Sequence, residues 1–134
     1  MYLLDTNIVS EARRGTPEAV AWLRSVQGRV LFLSVVTLGE IQRGILLKAR
    51  KDPKTAAILA NWLAVLREDH RDAILPISDA VALEWGRLSA ERSRPPADGL
   101  IAATARVHDL ILVTGNVADF EDAGVTVINP WELS

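Results

Sequence analysis

Four carboxylates stand where the strands of an alternating α/β chain would hand over to loops. Asp5 directly follows the apolar run Tyr2 to Leu4, in Leu3-Leu4-Asp5-Thr6-Asn7. Glu40 comes seven residues after the run Val30 to Leu33, early in the helix that this run leads into. Asp98 heads an Ala-rich stretch reaching His108, behind Ser93-Arg94-Pro95-Pro96, and Asp119 follows the run Leu110 to Val113. In a parallel sheet wound with helices, sites form outside the carboxyl ends of the strands, so these acids converge on one edge. Carboxylates gathered there repel one another by roughly 4 kcal/mol per pair at about 4 Å and an effective dielectric of about 20. A divalent cation with hard oxygen ligands offsets that repulsion, and so does a raised pKa that keeps one acid protonated.

Each acid also has an ordinary reading. Asp98 fits a helix N-cap, Glu40 a solvated helix charge and Asp119 a turn residue. Asp5 is harder to explain that way, because a carboxylate abutting a central strand has little solvent to stabilise it and a turn does not require an acid.

The elements that must position these residues are legible as apolar runs between helical patterns. Tyr2 to Leu4, Val30 to Leu33, Ile74 to Ile77, Leu110 to Val113 and Val125 to Ile128 read as strands alternating with helices, which predicts a parallel sheet. Val30 to Leu33 and Leu110 to Val113 are apolar throughout, as strands covered on both faces should be. Pro76 predicts that the third strand is short or at an edge. Helix starts are marked by Thr16-Pro17, Asp52-Pro53 and Ser78-Asp79. Ile58, Leu59, Trp62, Leu63 and Leu66 keep the helical period, and Trp22, Trp62 and Trp85 read as core or interface residues. Leu38, Ile41, Ile45 and Ala49 form a stripe nearly opposite Glu40 on a helix from about Thr37 to Lys51.

Composition narrows the chemistry. With 134 residues the chain has room for one domain, 1–134, and 49% apolar against 24% charged residues is a globular balance. No cysteine is present, which excludes disulfides, thiolate metal sites and a cysteine nucleophile. Two histidines, His70 and His108, cannot make a three-histidine site and read as surface residues near helix ends, so a metal would be held mainly by oxygen. No apolar run approaches the roughly 18 residues that span a bilayer, and Asp5 interrupts the place of a signal peptide; a cytoplasmic protein with no membrane contact is expected.

Other enzyme classes fail on particular residues. Gly39 and Gly44 have phosphate-loop spacing, but Ile45-Leu46 follows where Lys-Ser/Thr is needed. An aspartate-nucleophile phosphatase would carry a second aspartate at Asn7. There is no G-x-S-x-G elbow, and no lysine after Lys54 to complete a receiver domain.

Asp5-Thr6-Asn7, Thr37-x-x-Glu40, Asp98 at a helix head and Thr114-x-Asn116-x-x-Asp119-Phe120, in this order, resemble the PIN-domain ribonucleases. More closely, residues 1 to about 131 resemble the VapC-type toxins of type II toxin–antitoxin pairs. The resemblance implies a three-layer α/β fold, with a central parallel sheet flanked by helices. It also implies an acidic pocket binding Mg2+ or Mn2+ that cleaves RNA with metal-activated water, leaving 5′-phosphate and 3′-hydroxyl ends. Carried over by position, Asp5, Glu40, Asp98 and Asp119 are the catalytic and metal-holding set, Asp5 and Asp98 foremost, with Thr6, Thr114 and Asn116 as supporting polar residues. Many members have an acid at the position of Asn116, so the fourth acidic function lies at Asp119 or is reduced to an amide. Gly115 stands where a close subgroup has arginine.

The alternative is a catalytically inactive PIN-like module that engages a protein or RNA partner without turnover. Arg13, Arg14, Arg43, Lys48, Arg50, Lys51, Arg92 and Arg94 flank the acids and are candidates for tracking phosphates. Adjacent Leu46 and Leu47 predict surface for a partner. The resemblance implies a homodimer, and a small cognate antitoxin in a groove near the first helices and Trp22 or Trp62.

Overall fold

The computed structural model describes Met1–Leu133. Strands and helices alternate: β1 (Tyr2–Leu4), α1 (Thr6–Arg14), α2 (Pro17–Ser25), β2 (Leu31–Ser34), α3 (Val35–Ala49), α4 (Pro53–Asp69), β3 (Ile74–Leu75), α5 (Asp79–Glu91), α6 (Pro96–Val107), β4 (Ile111–Val113) and β5 (Val127–Ile128). Two 3-10 turns, Val117–Phe120 and Pro130–Glu132, complete the described chain. All four strand pairings are parallel, in the order β3-β2-β1-β4-β5, which makes β1 the middle strand.

Successive strand residues face opposite sides of the sheet, and each side has its own core. Leu4, Leu33 and Val113 pack with Ile8, Trp22, Ile41 and Leu63 under α1 to α4. Leu3 and Leu112 pack with Val81, Leu88, Ile101 and Phe120 under α5, α6 and the first 3-10 turn. Continuous apolar runs are thus what a three-layer arrangement requires of its strands, and each fully buried leucine contributes about 1.5–3 kcal/mol relative to exposure.

β1 matches its apolar run, β2 is shifted by one residue, and β3, β4 and β5 are shorter than theirs. β3 stops at Leu75, before Pro76, which has no N–H for the ladder, and it is an edge strand. Val30 stays outside β2, and β2 gains Ser34 instead. Helix starts follow local chemistry. Ser34, Asp52 and Ser78 each accept a backbone N–H from the first turn they cap. Thr16 holds the cap position of α2 without capping; its hydroxyl donates to Glu11. Helix α3 begins at Val35, two residues before Thr37, because Ser34 supplies the cap.

Candidate functional site

The carboxyl ends of β1, β2 and β4 open onto one cleft. Asp5, at the end of the middle strand, is only 5% exposed, and its backbone N–H donates to the Val113 carbonyl at 2.9 Å. The same residue is the N-cap of α1. Its Oδ1 accepts from the Thr6 N–H at 2.8 Å and its Oδ2 accepts from the Thr114 hydroxyl at 2.7 Å, so both oxygens are held by neutral donors. Thr114 is buried and also accepts from the Asn116 N–H at 3.0 Å, which folds the chain beyond β4 back over the cleft.

The Thr6 hydroxyl donates to Glu40 Oε1 at 2.6 Å and lies 3.0 Å from the hydroxyl of buried Thr37. Glu40 itself is exposed on α3, as its place opposite the apolar stripe predicts. Asp98 is the third residue of α6 and half-buried; it is not the N-cap, a position taken by Pro95 because Pro95-Pro96 sets the helix start. Behind it Gly99 packs on the Trp85 indole, where an added Cβ would meet ring atoms at 3.0 and 3.1 Å. Asp5, Glu40 and Asp98 line one hollow of about 330 Å³ together with Thr6, Asn7, Asn116 and the Glu11–Arg14 ion pair. Asp119 is exposed in the 3-10 turn beside it and lies outside that lining.

Charge ties the four acids together. Burial pushes the Asp5 carboxyl above its usual range, against the pull of the Thr114 and Thr6 hydrogen bonds, and Glu40 and Asp119 raise it further. Burial likewise raises Asp98, to about 6, with the charges of Asp119, Asp5 and Glu40 adding to the effect. Among the described residues, no lysine or arginine forms an ion pair with any of the four. Nor do three acids or histidines among those residues stand close enough together to form a ready-made cage for a metal ion.

Basic residues divide into two groups. Arg13, Arg14 and Lys48 line a hollow of about 400 Å³ that includes Thr6 and Glu40. Arg92 and Arg94 instead donate to the Glu121 carbonyl, at 2.9 and 3.3 Å, and so anchor the turn carrying Asp119 rather than lying open to a phosphate. On the far side of α1, an apolar groove of about 450 Å³ is lined by Val9, Arg13, Leu23, Trp62, Leu66 and His70. Trp62 belongs to this groove, with the Arg13 guanidinium 5.8 Å above its ring. Trp22 does not: it is buried, edge-on to Tyr2 at 5.1 Å.

Sequence reasoning gave no role to Trp131, although Asn129-Pro130 just before it is a turn signal. The Asn129 side chain accepts from the Trp131 N–H at 3.0 Å, and the indole comes to rest beside Gly115.

The chain matches the PIN domain over residues 2–125. It is 34% identical to Toxin FitB of Neisseria gonorrhoeae, an alignment covering 98% of this chain and 99% of that protein. A crystal structure of FitAcB from the same organism superposes with a TM-score of 0.88 at 34% identity, over 99% of this chain and 100% of that one. VapC ribonuclease Y4jK of Sinorhizobium fredii is 32% identical over 98% of this chain and 99% of its own length. A toxin–antitoxin complex from Klebsiella pneumoniae contains a chain with a TM-score of 0.70 and 27% identity, covering 99% of this chain and 100% of that one. With that match over most of its length and relatives above 30% identity along nearly the whole chain, this chain belongs to the PIN domain family.

Proposed function

We propose that this chain is the toxin of a toxin–antitoxin pair, an endoribonuclease that depends on Mg2+ or Mn2+ and acts in the cytoplasm. The observation that carries the reading is a buried Asp5 held by two neutral donors beside Asp98 and Glu40, with no protein cation paired to any of them. A divalent ion fits this donor set by its chemistry: hard oxygens, mutual repulsion, and no ion pair to any of them, Arg14 in the same hollow being paired with Glu11. Asp5 and Asp98 would hold it, with Glu40 and Asp119 drawn in from the mouth. When bound, such an ion neutralises phosphate charge and lowers the pKa of water.

The chain's own residues supply the rest. Thr6 and Thr114 lock the Asp5 carboxylate, and Thr6 ties Glu40 to the same point. Arg13, Arg14 and Lys48 border the cleft on the side where an RNA backbone would run. The relatives named toxin and ribonuclease, and the toxin–antitoxin complex of the Klebsiella chain, support the reading. The apolar groove beside Trp62 suits an amphipathic antitoxin segment, and exposed Leu46 and Leu47 suit a homodimer contact. No helix among the described residues is long and apolar enough to cross a membrane.

The test is incubation of purified protein with RNA in Mg2+ or Mn2+, repeated with chelator and with Asp5→Asn. Cleavage that needs the ion and the carboxylate is expected. Cleavage insensitive to chelator, or none at all, overturns the reading and leaves an acidic module that binds without turnover.

A further inference from the structure

The acidic cleft continues past Asn7 and Asn116 into a second hollow of different character. This hollow, about 410 Å³, is lined by Asn7, Glu11, Gly115, Asn116 and Trp131, and shares Asn7, Glu11 and Asn116 with the acid-lined hollow. Trp131 forms its wall. A Cβ on Gly115 would fall 2.9 Å from Cζ3 and 3.0 Å from Cε3 of the indole, so a side chain there would displace the ring. Trp131 is 36% exposed, unlike buried Trp22. Its backbone is pinned by Asn129 and by buried Pro130, so the indole is presented from a fixed turn.

The lining contains no lysine or arginine. Glu11 is already engaged by Arg14 and Thr16. A phosphate has nothing to bind there, whereas a neutral heteroaromatic ring has an indole face and two carboxamides. The Asn7 Oδ1 atom is buried without a hydrogen-bond partner. The two flanks of the cleft are thus basic on one side and aromatic and amide-rich on the other, as the backbone and the bases of a single strand require.

We propose that Trp131 is the stacking platform for one base of the RNA strand, next to the phosphate that is cut. The inference rests on the nuclease reading and adds a base-recognition site to it. Base stacking on an aromatic side chain is sequence-tolerant, and its loss weakens binding by roughly 5- to 150-fold.

The test begins with an RNA fragment that the wild-type protein cuts. The fragment is resynthesised with 2-aminopurine placed at each position in turn and bound to Asp98→Asn protein, which leaves the strand whole. Quenching of 2-aminopurine fluorescence at one position beside the cut is expected. It should be lost on adding Trp131→Ala and kept with Trp131→Phe, and KM for cleavage should rise more than kcat falls in Trp131→Ala alone. Trp131→Phe covers the case in which the alanine variant does not fold. Quenching that survives in folded Trp131→Ala, or an unchanged KM, overturns the platform while leaving the nuclease intact. If the wild-type protein cuts no RNA, the nuclease reading fails first and this inference falls with it.

Discussion

Asp5 and Asp98 form the floor of the cleft, Glu40 and Asp119 its mouth, and the two pairs differ in burial. Asp5 has both carboxylate oxygens held by hydrogen bonds, and Asp98 sits half-buried on α6 next to Gly99, which packs on Trp85. Glu40 and Asp119 are exposed. Removing a carboxylate from water raises its free energy unless something offsets it, so the floor is where the fold stores unfavourable charge and the mouth is where it does not. A difference in burial between residues of one chemical type thus separates acids whose charge is costly to the fold from acids whose charge is not.

The sharpest way to break this comparison is to remove floor charge. Asp5→Asn or Asp98→Asn is expected to bring RNA cleavage below detection while circular dichroism stays native; wild-type rates in either would end the assignment. Next comes the support. Thr114→Val takes the donor from Asp5 Oδ2 and the acceptor from the Asn116 N–H. A loss of about 10- to 100-fold in activity is expected, by analogy with groups that orient metal ligands. A fall of about 1–3 kcal/mol in denaturant stability should accompany it. Asp119→Asn should cost less activity than either floor substitution, because Asn116 lies on the same turn; an equal loss in parallel assays would move Asp119 to the floor's rank.

The smallest effect is on stability. The folded-state pKa of Asp98 is raised from 3.8 to about 6, so across that window the fold binds more protons than the unfolded chain. The contribution of Asp98 to stability therefore declines as pH rises from about 4 to about 6, and the deficit persists above it. In chelator, Asp98→Asn should gain in melting temperature relative to wild type on going from pH 4 to pH 7. Added Mg2+ should raise the wild-type melting temperature more than that of the variant. A pH-independent difference would contradict the burial of Asp98.

Much of this was legible in the chain. Runs such as Leu110 to Val113, apolar at every position, imply a strand covered on both faces, and Asp5 directly after the first run falls at the sheet edge where the cleft opens. Local capping chemistry marks Asp52 and Ser78 correctly. What escapes sequence reading depends on contacts between distant segments. Thr16 looks like a cap but turns to Glu11, and Asp98 looks like one but lies two residues inside the helix. Arg92 and Arg94 look free until the Glu121 carbonyl is folded against them. Trp22 and Trp62 have similar surroundings in sequence, yet only one lines the groove.

Asp5 serves two purposes with two oxygens: one starts helix α1, the other meets Thr114. Asparagine caps a helix as well as aspartate does, whereas alanine forfeits about 1 kcal/mol. A lineage in which the activity is no longer needed would therefore discard acids unevenly. Glu40 and Asp119 could drift to almost anything without disturbing a helix start, while position 5 would stay restricted to residues that still accept the Thr6 N–H. Because asparagine meets that need without a buried charge, an aspartate surviving at the end of the first strand is the stronger sign that a relative remains active, and exposed acids at the cleft mouth are the weaker one.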